Sequence, residues 1–162
     1  MIPLKINGKH LIEIFEPGLA ATLPTDAEKV AKSIELQMYP TKVTLSAETY
    51  SKDAERTANY ELEDLVLVNR KSKPEFTWDI IKASYVQKLL AFLNYKNSYY
   101  NSDKEIVPVD APIYSIEYYD FVGTVTIKAY LGQTIQADLQ EYMVNGVMTL
   151  YWEDFRIAFP EV

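Results

Sequence analysis

Apolar and polar residues alternate with a period of two along many short stretches of the chain, which is the pattern of half-buried β-strands. The clearest stretch is Thr124–Leu131, in which every second residue is apolar. Asn145-Gly146 predicts a hairpin turn, since Asn and Gly tolerate positive φ angles. Further strands are predicted at Val43–Tyr50, Asn59–Arg70, Phe76–Ile80, Tyr114–Tyr118, Ile135–Val144, Val147–Trp152 and Phe155–Phe159.

The first 42 residues are predicted to form an N-terminal extension that opens with a β-hairpin. Asn7-Gly8 is its two-residue turn and Leu11–Phe15 is the returning strand. The pattern of the following stretch leaves two structures open. Thr25 and Glu28 fit a capping box at the start of a short helix, whereas Ile34–Met38 fits a strand equally well.

One segment has the periodicity of an amphipathic helix, over residues 85–94. Its apolar stripe has i, i+3, i+4 and i+7 spacing. Ser84 followed by Gln87 fits a capping box that starts the helix, and Asn94 is a plausible end. The residues of the stripe are Val86, Leu89, Leu90 and Leu93.

Together these elements predict a mainly β fold of the α+β class, a β-sandwich or partly open barrel with one packed helix. At 162 residues, a single domain over 1–162 is expected. Its β core spans 43–160. A charged loop at 51–58 and a long Tyr-rich loop at 97–112 interrupt the strands, and long loops on compact domains often carry function.

Composition narrows the function. With no Cys, the chain has no disulfide, thiolate zinc site or cysteine nucleophile. Its formal charge of −7 argues against tight binding of nucleic acid. The longest uninterrupted apolar run, Leu89–Leu93, is far too short to cross a membrane, and the first residues lack the apolar core of a signal peptide. A soluble protein without membrane insertion is expected.

Candidate catalytic residues are sparse. The five glycines are isolated from one another, so no phosphate-binding loop of the glycine-rich type is present. His10 is the only histidine and is predicted to be a surface residue beside a hairpin turn. Carboxylates cluster at Glu61, Glu63 and Asp64, at Asp120, and at Glu153 and Asp154, where exposed charge on strand edges explains them. We expect no enzyme activity, no cofactor and no metal.

Two loops provide candidate interface residues. The Tyr-rich loop combines Tyr with Ser and Asn, which is the adaptable contact chemistry of binding surfaces. The charged loop separates two predicted strands and is longer than a tight turn needs to be. The candidates are Tyr95, Tyr99 and Tyr100 in the first loop and Lys52, Asp53, Glu55 and Arg56 in the second.

A strand, a helix start and a helix follow one another over Phe76–Ile81, Lys82–Ser84 and Tyr85–Leu93. This order resembles a segment of small tail structural proteins of siphophages and related prophages, of the tail-tube or distal-tail (baseplate adaptor) type. Thr124–Gly132 and Trp152–Phe159 continue the resemblance, which covers about residues 43–160.

The resemblance implies two packed sheets with a helix at the side, assembled as a ring, often of six copies. It further implies a structural role in the virion tail, contacts with neighbouring tail proteins, a lumen through which DNA can pass, and synthesis in the bacterial host cytoplasm. The longer start at 1–42 and the loop at 97–112 depart from the shorter members. The alternative from another class is a carbohydrate- or protein-binding β-sandwich module that uses the Tyr-rich loop.

Overall fold

The computed structural model describes residues 2–51, 55–56, 62–63, 67–95, 103 and 112–162. Among these, the helices are α1 Leu11–Phe15, α2 Pro17–Ala20, α3 Asp26–Glu35 and α4 Ala83–Phe92. The strands are β1 Lys5–Ile6, β2 Lys9–His10, β3 Lys42–Thr44, β4 Ala47–Ser51, β5 Glu55–Arg56, β6 Leu62–Glu63, β7 Leu67–Ser72, β8 Glu75–Lys82, β9 Tyr114–Asp120, β10 Gly123–Ala129, β11 Gln136–Val144 and β12 Val147–Ala158.

Two four-stranded antiparallel sheets dominate the described part of the chain. Their strand orders are β10-β9-β1-β2 and β11-β12-β8-β3, and they are not closed into a barrel. Phe76 of β8 meets Tyr118 of β9 edge-to-face, with ring centroids 5.9 Å apart, and Tyr114 meets Phe159 at 6.2 Å. Aromatic side chains of both sheets therefore share one core, and the predicted mainly β, sandwich-like fold is confirmed.

The predicted hairpin at the start of the chain is present, but its returning strand is wrong. Asn7 and Gly8 have φ angles of 53° and 75°, and β2 stops at His10. Leu11–Phe15 is helix α1, because its four buried apolar residues are spaced for one helical face, whereas a strand would send them to opposite sides. The segment expected as an extension thus supplies part of the core, including Leu4, Ile6, Leu11, Ile12, Phe15, Met38 and Tyr39.

Helix α3 resolves the ambiguous stretch in favour of the helix. The side chain of Thr25 accepts a hydrogen bond from the backbone N–H of Glu28 at 3.2 Å, as the capping box requires. The helix runs to Glu35, and Gln37 then has a φ of 55°. The strand alternative for Ile34–Met38 is therefore wrong.

Helix α4 confirms the predicted amphipathic helix but not its cap. The helix begins at Ala83 after Lys82, without a side-chain cap, so Ser84 lies in the first turn. Strand β8 runs directly into the helix, because Lys82 still pairs with Tyr151. Three of the four stripe residues are buried and Leu90 is partly buried. Asn94 has a φ of 59° and ends the helix as expected.

Helix α4 was the one helix predicted without an alternative, and α1, where a strand was predicted, packs beside it. The Phe15 and Tyr85 rings stack at 4.9 Å, and Lys88 Nζ donates to the Phe15 carbonyl oxygen at 2.8 Å. Tyr85 Oη lies 3.2 Å from the Glu16 carboxylate. Burial, followed by the charge of Glu16, raises the pKa of Tyr85 to about 12, so the phenol remains a hydrogen-bond donor at neutral pH.

A pair of alanine variants tests the two capping assignments. Thr25→Ala should lower the free energy of unfolding by about 1 kcal/mol, because the Glu28 amide loses its acceptor. Ser84→Ala should change it by less than about 0.5 kcal/mol, since Ser84 is exposed and Ala favours a helix interior. Urea denaturation of both variants checks this, and a larger loss at Ser84 would contradict the helix start at Ala83.

In β8 of the second sheet, the alternation of buried and exposed side chains changes near the end of the strand that leads into α4. Alternation along the strand predicted at Phe76–Ile80 would put Trp78 and Ile80 on one face, but Trp78 is buried whereas Ile80 is 37% exposed and Ile81 is buried instead. Across the sheet, Asp154 has a φ of 50° and the β11–β12 register shifts beside it. This irregularity reverses which side chains of β12 face inward. The two strands predicted at 147–152 and 155–159 are consequently one bent strand, β12.

Candidate functional site

The hairpin of β11 and β12 projects beyond its sheet. Strand β12 pairs with β8 up to the pair Tyr151–Lys82, and β8 then turns into α4. Within the described part of the chain, residues 141–150 pair with one another and with no other strand, around the Asn145-Gly146 turn with φ angles of 50° and 79°. At about 3.3 Å per residue, this part extends the hairpin by roughly 13 Å. We call residues 139–152 the ribbon.

The pairing register assigns each side chain of the ribbon to one of two faces, because directly opposed residues in an antiparallel pair share a face. The apolar face consists of Leu139, Glu141, Met143, Met148, Leu150 and Trp152. The tyrosine face consists of Gln140, Tyr142, Val144, Val147, Thr149 and Tyr151.

The apolar face is exposed along most of its length. Met143 is 65% exposed, and Leu139, Met148 and Leu150 are each about half exposed. Trp152 is partly buried against the core, and its cross-strand partner Ile81 is a buried core residue. The apolar face is therefore the continuation, beyond the end of β8, of the side of the sheet that faces the core. A largely apolar exposed surface of this kind is typical of interaction sites.

Contacts on the tyrosine face brace the ribbon. The Tyr142 and Tyr151 rings meet edge-to-face at 5.6 Å, and the Tyr142 hydroxyl donates to the Glu153 carboxylate. That hydrogen bond raises the pKa of Tyr142. These contacts tie the projecting part to the base of the strand and orient the apolar face.

The outer edge of the ribbon carries charged side chains. In the sheets formed by the described residues, β11 is an edge strand. Asp138 and Glu141 lie on it and are exposed. Charged side chains on an edge deter unspecific strand pairing, so contacts are steered to the faces of the ribbon.

A second exposed apolar group lies at the turn between β9 and β10. Phe121 and Val122 are 74% and 86% exposed, and Tyr119 beside them is 65% exposed. The Asp120 carboxylate accepts from the Phe121 backbone N–H at 2.6 Å, which fixes the turn. The turn is a small patch, and it belongs to the other sheet from the ribbon.

The surface position predicted for His10 is wrong, because its side chain is only 4% exposed. His10 Nε2 lies 3.2 Å from Asp26 Oδ1, and this contact lowers the pKa of Asp26. The misprediction follows from α1, which starts directly after His10 and closes over it. The residue borders a cavity of about 320 Å³ that is also lined by Tyr39.

Two polar atoms beside this cavity have no hydrogen-bond partner within the described part of the chain, namely His10 Nδ1 and the Tyr39 hydroxyl. Both atoms are shielded from solvent, so neither is presented to a ligand inside the cavity. The His10–Asp26 pair therefore holds α3 against β2.

The predicted interface residues fall partly within the described chain. Tyr95 follows α4 and is partly exposed. The loop predicted at 51–58 is wrong at its centre, because Glu55 and Arg56 form β5, paired with β6. The four others, Lys52, Asp53, Tyr99 and Tyr100, lie outside the described residues, as does most of the loop at 97–112.

In the ranges that the structure describes, the predicted carboxylate clusters lie in separate elements. Asp120 lies in the β9–β10 turn, Glu153 binds Tyr142, and Asp154 marks the irregularity in β12. Glu61 and Asp64 lie outside the described residues, and Glu63 ends β6. Among the residues described, no three His, Asp or Glu side chains are grouped closely enough to hold a metal ion.

The ribbon was missed as a site because its two strands look ordinary when taken one by one. The sequence did contain one signal of this site. Between Leu139 and Leu150, apolar residues occupy both odd and even positions, so both faces of the strands carry them. A strand that packs on the core with one face has polar residues on its other face, so apolar residues on both faces are unexpected there.

Comparison with protein-family models, curated proteins and solved structures finds no match for this chain. In the part of the chain that the structure describes, no helix is long and apolar enough to cross a membrane.

Proposed function

We propose that this chain is a structural subunit of the tail of a bacteriophage or phage-like particle, where copies form a closed ring in the tail tube, distal tail or baseplate. The observation that carries the proposal is the ribbon, a braced hairpin that projects from the sheet with an exposed apolar face. The sequence resemblance over residues 43–160 directs it to a phage tail.

The ribbon favours assembly on energetic grounds. Leu139, Met143, Met148 and Leu150 keep about half of their surface in water. Covering the remainder contributes roughly 1 kcal/mol per side chain, since a fully buried side chain of this size contributes about 1.5–3 kcal/mol. In a monomer these side chains stay in contact with water, whereas in an assembly every copy gains the free energy of burying them.

A ring requires that the apolar face of one copy meets a different surface of the next copy, and the two faces of the ribbon, which differ in chemistry, are compatible with such a contact. Repeated contacts of this heterologous kind close into a ring when the rotation between copies divides a full turn. Six copies are the number that the resemblance implies.

The remaining features are compatible with a place in a tail. A formal charge of −7 per copy would keep DNA from adhering to a lumen lined by this chain. The Phe121–Val122 turn offers a separate patch for a neighbouring tail protein. No reaction, cofactor or metal is part of this role, and no observation on a described residue favours the sugar-binding alternative.

Sedimentation analysis of the purified protein over a wide concentration range tests the proposal. We expect a discrete species with the mass of six 18.6 kDa chains, in exchange with monomer. A protein that remains monomeric at every concentration, and whose melting temperature rises on addition of an oligosaccharide, would instead support the binding module.

A further inference from the structure

The groove at the base of the ribbon is the second surface that a ring requires. It has a volume of about 230 Å³ and is bordered by Leu36 after α3, by Ile80 and Lys82 of β8, and by Tyr151 of β12. Leu36 and Ile80 are both more than a third exposed. The groove thus combines exposed apolar side chains with one lysine.

The groove includes side chains from the side of the sheet opposite the apolar face, and Ile81 and Tyr85 also border it. Tyr151 belongs to the tyrosine face, and its cross-strand partner Lys82 shares that side. Ile80 lies two residues along the same strand and points the same way. A copy that covers this groove with its apolar face leaves its own groove open for the next copy, so the contact can repeat.

Charge identifies the occupant. Glu141 is the only charged residue on the apolar face, and Lys82 is the only cationic residue bordering the groove. Within the described residues neither has an ion-pair partner, although Lys82 Nζ lies 5.3 Å from the centre of the Tyr85 ring. Glu35, the other charged residue of the groove, is 3.2 Å from Lys32.

We propose that the apolar face of the ribbon of one copy docks into this groove of the next copy, with Glu141 paired to Lys82. This inference rests on the proposed ring and supplies its interface. Leu139, Met143, Met148 and Leu150 cover Leu36 and Ile80, and the ion pair sets the register between the copies. Complementary charges of this kind mainly determine specificity and orientation.

Charge exchange tests the docking. Glu141→Lys and Lys82→Glu should each weaken self-association about tenfold, since like charges then face each other. The double variant should restore association to within about threefold of the wild type. Lys128→Glu makes the same charge change on β10, in the other sheet, and should have no comparable effect. Sedimentation measures the association of all four variants.

Folding of the variants is checked by their thermal transitions. Glu141 is exposed, and a Glu at position 82 would stand just before the N-terminus of α4, where negative charge is favourable. A wild-type ring with no rescue in the double variant overturns the docking and leaves the ring standing. A wild-type protein that never associates overturns both. The isosteric Glu141→Gln should weaken association less than Glu141→Lys, and equal weakening would also count against the ion pair.

Discussion

Met143→Asp combined with Met148→Asp is expected to abolish ring formation while leaving the isolated fold intact. The two residues are directly opposed on the apolar face, and both are at least half exposed in one copy. Their replacement costs the monomer little, whereas two carboxylates without partners would be buried in the assembled interface. We expect self-association to weaken by at least about 100-fold, since a buried unpaired charge commonly costs more than 3 kcal/mol.

A matched control is available at the same turn. Val144→Asp combined with Val147→Asp introduces the same two directly opposed carboxylates on the tyrosine face, where Val147 is 64% exposed. This variant should retain most of the association. If both proteins lose it equally, the effect belongs to the hairpin as a whole and the apolar face is not the contact.

Leu89→Ala should lower the free energy of unfolding by about 2–5 kcal/mol, because it leaves a cavity where α4 meets the core. Leu89 is fully buried. Chemical denaturation measures the loss, and Leu90→Ala serves as the control. Leu90 lies one residue further along the helix and is only partly buried, so its loss should be clearly smaller. Equal losses would contradict the difference in burial between Leu89 and Leu90.

The elements predicted best are those in which local pattern and tertiary environment agree. Tyr114, Ile116 and Tyr118 alternate in the sequence and are all buried in β9. Asn7 and Asn145 begin tight turns as their sequence signals indicate, since each adopts a positive φ. Helix α4 was predictable because its apolar stripe alone is long enough to define a helical face.

The elements predicted wrongly are those in which tertiary contacts override a weak local signal. Leu11–Phe15 is too short for its periodicity to separate helix from strand, and burial of four apolar residues decides it. Ser84 has the residue type of a cap, but the helix follows directly after β8 and begins at Ala83, two residues earlier than predicted. The burial of Ile81 in place of Ile80 depends on the irregularity at Asp154, which lies on another strand.

The candidate site was harder to predict than the fold. Loops with Tyr and charged residues attracted attention by composition, whereas the ribbon is built from ordinary strand residues. Its exposure arises because β8 ends at Lys82 while β11 and β12 continue, which is a difference in strand length between partners. Only the pairing register reveals that difference.

An electron cryo-microscopy reconstruction of a tail particle that contains this chain tests the central claim most directly. We expect a closed ring in which the ribbon of each copy covers the groove of the next, with Glu141 beside Lys82 of its neighbour. Finding the chain as a separate decoration, with the apolar face of the ribbon exposed to solvent and touching no neighbour, would contradict the ring.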